Sequence, residues 1–185
     1  ITMDANYDKQ ISELKSKIKS FPDFPKPGIL FWDIFSAISD GPTSKLLQSL
    51  LVHTIKVKFP EAEAVIGLES RGFLFSFSIA AELGIGCLPV RKKGKLPGDV
   101  VSYKYDLEYG SDVLEIQKNV IRPGLKCVII DDLIATGGSI SAATQLLKTC
   151  GADVIGCLLV IELTSLRGRQ NIPNGIPVHS LIQYD

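Results

Sequence analysis

The chain has little of what metal centres and disulfide scaffolds require. Its 185 residues hold two histidines, His53 and His179, and four cysteines, Cys87, Cys127, Cys150 and Cys157, with no C-x-x-C pair. A structural zinc site needs four such ligands at short, regular spacings, so none is expected. Cys87, Cys127 and Cys157 fall in apolar, strand-like runs and read as buried free thiols, which suit a reducing, cytoplasmic setting. Net charge is also missing: 20 basic residues balance 20 acidic ones. No global field steers the molecule towards nucleic acid or a membrane surface, and neither is expected as a partner. Long apolar runs are absent too. VIGCLLVI is far too short to span a bilayer, and the polar start ITMDANYDKQ has no signal-peptide pattern.

What is present is ordinary globular material, 45% hydrophobic and 22% charged. That suffices for one domain with a buried core. Ile11, Leu14 and Ile18 recur at helical spacing and predict a helix over about 8–20. FPDFPKPG, residues 21–28, ends it with three prolines and a glycine. Leu46, Leu47, Leu50, Leu51 and Ile55 place a second helix at 43–58. Strands at 64–68, 87–90, 127–130, 154–161 and near 178–182 then alternate with helices at 72–83 and 138–149. Buried apolar strands alternating with helices predict an α/β fold with a mainly parallel, doubly wound sheet. Residues 91–125 interrupt the alternation with charges, Gly, Pro and the alternating VVSYKY. They read as a hairpin or long flexible loop on top of the sheet, of the kind that often forms an active-site lid.

The most informative stretch is VIIDDLIATGGSISAA, residues 128–143. Asp131 and Asp132 fall at the carboxyl end of a strand, where open parallel sheets bind ligands. Thr136, Gly137, Gly138 and Ser139 form the turn into a helix. Glycines let backbone N–H groups converge on an anion, and the helix start adds positive potential. Neither a Walker A loop nor G-x-G-x-x-G is present. Acids beside a phosphate cradle fit a sugar phosphate, because carboxylates accept hydrogen bonds from vicinal hydroxyls. After strand 64–68, Glu69-Ser70-Arg71-Gly72 opens a helix and offers a second anion site. Taken alone, Arg71 reads rather as a surface arginine near a helix cap. Arg91, Lys92, Lys93 and Lys95 follow strand 87–90, and alone they read as a solvated charge run.

The stretch around Asp131 resembles the phosphoribosyl-pyrophosphate signature of the type I phosphoribosyltransferases. Further segments resemble the adenine-using members: SFPDFPKPGILF (20–31), GLESRGFLF (67–75), RKKGKLPG (91–98), YDLEYG (105–110) and ELTSLRGR (162–169). The resemblance implies one phosphoribosyltransferase domain over 1–185, with a base-binding hood at about 1–35 and a catalytic lid at about 91–115. It implies purine salvage, with transfer of the 5-phosphoribosyl group from phosphoribosyl pyrophosphate to N9 of adenine, giving AMP and pyrophosphate. It assigns the ribose and 5-phosphate to Asp131, Asp132, Ala135, Thr136, Gly137, Gly138 and Ser139. Pyrophosphate goes to Ser70, Arg71, Arg91 and Lys95, with an unusual, strained or cis backbone at Glu69–Ser70. Adenine goes to Leu30, Phe31, Trp32 and Leu163, and lid closure to Tyr105 and Tyr109. Glu108 becomes the catalytic residue, managing the purine N7 proton; without the resemblance it reads as an ordinary loop glutamate. Mg²⁺ is implied as a cofactor held mainly by substrate and water, with no direct protein ligand, and a homodimer is implied as the assembly. One departure stands out: family members commonly carry arginine where this chain has Trp32. A 6-oxo purine as acceptor and a non-catalytic sensor of phosphoribosyl pyrophosphate remain the alternatives. The first would call for a donor, often lysine, at the base edge; the second would need an added nucleic-acid-binding surface.

Overall fold

A computed structural model of the chain describes residues 5–106 and 110–185. It divides into two compact units, Ile1–Thr54 and Ile55–Asp185. In the first, α1 (Ala5–Lys17) leads into a two-stranded antiparallel ribbon, β1 (Lys19–Pro22) and β2 (Leu30–Asp33). The helix stops three residues before the predicted end because Lys19 already pairs with Asp33 in the ribbon. The Ser36 hydroxyl fixes the junction, donating to the Lys17 carbonyl and accepting from the Lys19 N–H. Asp33 then caps the short α2 (Ile34–Ile38), its carboxylate accepting from the Phe35 and Ser36 N–H groups. α3 (Gly41–Lys58) starts earlier than its apolar spacing suggested. Asp40 accepts from both the N–H and the hydroxyl of Thr43 and so extends the first turn.

The second unit is built on a seven-stranded sheet in the order β5-β6-β4-β3-β7-β8-β9. Its parallel core comprises β3 (Ala64–Leu68), β4 (Gly86–Lys92), β7 (Lys126–Ile134), β8 (Asp153–Leu163) and β9 (Val178–Tyr184). All five residues of β3 are buried, as are most of β7 and β8, which explains their continuous apolar runs. Helices α4 (Phe73–Leu83) and α5 (Gly138–Thr149) follow β3 and β7. Ile140, Ala143 and Leu147 are buried along α5, as their spacing predicts, together with Ala142, Thr144 and Leu146.

The two strands β5 (Val100–Asp106) and β6 (Ser111–Gln117) do pair antiparallel, as in a hairpin. Its place differs from the expected one. Rather than lying on top of the sheet, it extends the sheet edge: β6 pairs antiparallel with the end of β4 through Arg91–Glu115 and Lys92–Leu114. Leu114 and Ile116 are buried there in the main apolar core. Buried Glu115 accepts from the Gly94 N–H and the Ser102 hydroxyl, which holds the basic 91–95 loop against the hairpin.

The sheet reverses direction of winding at β3. The chain leaves β3 through α4 to β4 on one side, while β7 lies on the other. Ligands in open parallel sheets bind outside the carboxyl ends of strands at such a switch point. Both sequence motifs, after β3 and at the end of β7, arrive there.

Candidate active site

A cleft of about 610 Å³ opens at this switch point. Of the residues singled out in sequence, Ser70, Arg71, Lys95, Tyr105, Asp131, Asp132, Ala135, Thr136, Gly137, Gly138 and Ser139 line it. Glu69, Lys92, Asp112 and Leu114 join them. Arg91 is not part of the lining but points its guanidinium at a lining residue, Glu69. Leu163 ends β8 and is also outside the lining. Leu30, Phe31 and Trp32 lie in β2 of the first unit. Leu30 is exposed, Phe31 and Trp32 are half-buried, and Phe31 meets Phe24 edge-on at 5.1 Å. They are therefore not the fully buried aromatics of an ordinary core. Glu108 and Tyr109 lie outside the described residues.

The loop after β3 depends on a glycine. A Cβ at Gly72 would sit 2.6 Å from the Ile130 carbonyl oxygen and from the Leu68 nitrogen, so the turn packs directly on two strand backbones. The Glu69–Ser70 peptide is cis, the unusual backbone expected there. The loop after β7 uses glycine twice over. Gly137 has φ 81°, and a Cβ on it would come within 2.3 Å of the Gly168 carbonyl oxygen. Gly138 then begins α5, whose first N–H groups have no partner inside the helix.

Each cation facing the cleft is already engaged by a carboxylate. Arg71 Nε donates to Asp132 at 2.5 Å. Lys95 Nζ lies 2.7 Å and Arg91 Nε 3.2 Å from Glu69. Lys92 pairs with Asp112 at 3.1 Å, and its N–H also donates to Glu69. Burial alone would raise the Glu69 pKa, but the donors Lys95, the Lys92 N–H and Arg91 outweigh it and hold Glu69 at about 2. Asp131 moves the other way. Its burial and the adjacent Asp132 charge push it well above the usual carboxylate range. Sequence alone left Glu69 as a mere neighbour of Ser70 and Arg71. Its position directly after β3 was the available signal, since strand ends are where this fold puts its ligand groups. Asp112 and Leu114 gave none, because their place depends on the hairpin pairing with β4.

Among the described residues, no group of three or more His, Cys, Asp or Glu side chains could hold a metal ion. No described helix is long and apolar enough to cross a membrane.

Two anion-suited loops flanking an acid pair at the switch point of a mainly parallel sheet define a nucleotide- or sugar-phosphate-handling α/β protein. A family model described as "Phosphoribosyl transferase domain" matches residues 45–173, and the chain belongs to that family, with its type I fold. The chain is 51% identical to the adenine phosphoribosyltransferase of Drosophila pseudoobscura pseudoobscura over 177 residues, covering 96% of this chain and 97% of that protein. It is 46% identical to the rat adenine phosphoribosyltransferase (Rattus norvegicus), covering 96% and 99%. Among solved structures, it superposes with a TM-score of 0.90 on the Saccharomyces cerevisiae adenine phosphoribosyltransferase, which was crystallised with an imino-altritol bisphosphate and adenine. Identity there is 41%, over 95% of this chain and 99% of that one.

Proposed function

We propose that the protein is a purine-salvage pentosyltransferase that moves the 5-phosphoribosyl group of phosphoribosyl pyrophosphate to N9 of adenine, releasing AMP and pyrophosphate. One observation carries the reading: two separate anion-suited loops, after β3 and β7, open into one cleft with an acid pair beside them. Phosphoribosyl pyrophosphate has matching parts, a 5-phosphate, vicinal hydroxyls and a 1-pyrophosphate.

In this reading the N–H groups and hydroxyls of residues 135–139 hold the 5-phosphate. Asp131 and Asp132 take the ribose hydroxyls. Ser70, Arg71, Arg91 and Lys95 receive the pyrophosphate and stabilise its charge as it leaves. The ribose passes through an oxocarbenium-like state, as in glycoside cleavage. Glu108 handles the N7 proton of adenine, and Tyr105 and Tyr109 help exclude water. Leu30, Phe31, Trp32 and Leu163 contact the base, with backbone groups near residue 32 reading its edge, so that tryptophan in place of the arginine common in this family is tolerated. Mg²⁺ would enter with the substrate, held mainly by its oxygens and water, and neutralise the departing pyrophosphate. Four free cysteines suit a cytoplasmic enzyme. A homodimer is supported by α4, which exposes Leu74 and Phe77 at 47% and 72%, about one and two turns beyond Arg71.

The test supplies the protein with phosphoribosyl pyrophosphate, Mg²⁺ and one of adenine, hypoxanthine, guanine or xanthine, and follows nucleotide and pyrophosphate. AMP from adenine alone, nearly abolished by Glu108→Ala, is the expected result. Turnover of an oxo-purine instead overturns the base assignment. Binding without turnover of any base overturns the catalytic one.

A further inference from the structure

The segment 164–171, which overlaps the ELTSLRGR run (162–169), does not line the cleft, yet it packs directly behind the phosphate loop. A Cβ on Gly168 would lie 2.2 Å from the Ala135 carbonyl oxygen and 2.8 Å from Ile134 Cγ1. One on Gly137 would lie 2.3 Å from the Gly168 carbonyl oxygen. The two backbones therefore touch with no room for a side chain on either. Three residues beyond Gly168, Asn171 Nδ2 donates to the Thr136 carbonyl at 2.8 Å.

These contacts fix the direction of the loop's donors. In a planar trans peptide the C=O and the following N–H point to opposite edges. The Ala135 and Thr136 carbonyls both face the 168–171 turn. The N–H groups of Thr136 and Gly137 consequently leave on the other side, the side of the cleft that residues 135–139 line. The turn itself is tied down. Arg167 bends the chain with φ 51°, and Arg169 makes a two-point ion pair with buried Glu162, both bonds 2.5 Å. Arg169 also donates to the Val178 carbonyl and the Ser180 hydroxyl. Ser180 and Gln183 donate in turn to Glu162. The anchor thus spans β8 and β9.

We propose that the 167–171 turn is a built-in backing plate for the phosphate loop, with Asn171 and Gly168 as positioning residues that aim the Thr136 and Gly137 amides at the 5-phosphate. This rests on the reading that residues 135–139 hold that phosphate, and the test separates the two. Titration calorimetry on the full chain measures ribose 5-phosphate and pyrophosphate separately for wild type, Asn171→Ala, Asn171→Asp and Ser139→Ala, with the melting temperature of each. Asn171→Ala weakens ribose 5-phosphate about tenfold, as the loss of one well-placed hydrogen bond should. Asn171→Asp, of the same shape but with no donor, weakens it at least as much. Pyrophosphate stays within about twofold in both. A merely structural role would lower both affinities together with the melting temperature, and that result overturns the proposal. Ribose 5-phosphate binding that Ser139→Ala weakens and the Asn171 variants leave intact also overturns it, while sparing the loop reading. Affinity unchanged in all three variants removes the loop reading itself and the proposal with it.

Discussion

Replacing Glu162 by glutamine keeps the shape of a buried side chain and removes its charge. The carboxylate is the hub of four donors: two from Arg169, one from Ser180 and one from Gln183. Arg169 above all, against an opposing effect of burial, and then Ser180 and Gln183 lower its pKa from 4.5 to about 2. At about 1.4 kcal/mol per pH unit, that difference corresponds to roughly 3 kcal/mol of native-state stabilisation. Arg169 is 41% exposed, so solvent screening reduces the figure to about 2 kcal/mol. A folded pKa below the unfolded one means that the contribution is complete above pH 4.5 and fades as pH falls towards 2. About two-fifths of it is gone by pH 3.5. Urea unfolding of wild type and Glu162→Gln at pH 7, 5 and 3.5 measures this directly. The variant is expected to be less stable by about 2 kcal/mol at pH 7 and 5, or about 4–8 °C in melting temperature. The gap narrows at pH 3.5, where Glu162 of the unfolded wild-type chain is already mostly protonated while the folded one still holds its charge. Equal stability at pH 7 refutes the reasoning, as does a gap that ignores pH.

Glycines offer a second test. Gly156→Ala puts a Cβ 2.1 Å from the Phe59 ring and should cost about 1–3 kcal/mol in urea unfolding, partly recovered by Phe59→Leu. Gly72→Ala meets strand backbone instead and should lose more, with no single partner substitution able to rescue it. Cys127 and Cys157, pushed to about 12 chiefly by burial, should resist a thiol reagent at pH 8. Labelling should then reach at most the half-buried Cys87 and Cys150 until urea is added, and fast reaction at Cys127 contradicts the structure. Lys95→Gln should weaken pyrophosphate roughly tenfold, less so in high salt, and leave ribose 5-phosphate unchanged. Equal losses for both anions would mean the two loops do not bind them separately.

The parallel core was legible because its strands are buried on both faces. AVIGL and VIGCLLVI are continuous apolar runs, and the helices between them keep a 3.6-residue period. The loop after β7 was legible as an anion-suited turn because its pattern is local: acids, two hydroxyls, two glycines and a helix start fall within nine residues. The hairpin was legible as a hairpin, from its alternation, but not its place. Its pairing with β4 is a choice among sheet edges, which local periodicity does not record. The β1–β2 ribbon was hidden by FPDFPKPG, whose prolines mark an interruption without naming the strands that flank it. Arg169 and Asn171 escaped notice for a related reason. One acts on Glu162, seven residues back, and the other on Thr136, thirty-five residues back. Only folding brings these partners together.

The occupied state of the cleft's cations has a bearing on what the protein meets in a cell. Arg71, Arg91 and Lys95 are each held by a carboxylate before any ligand arrives. Binding an anion is therefore an exchange of partners. On the side of Arg71, Arg91 and Lys95, an inorganic phosphate ion has to displace Asp132 or Glu69, which offsets part of what it gains there. A ligand that also reaches the amides and hydroxyls of 135–139 adds those contacts in the same binding event and is not penalised twice for its loss of free motion. Discrimination against the commonest small anions can thus come from the molecule's own acids acting as competitors.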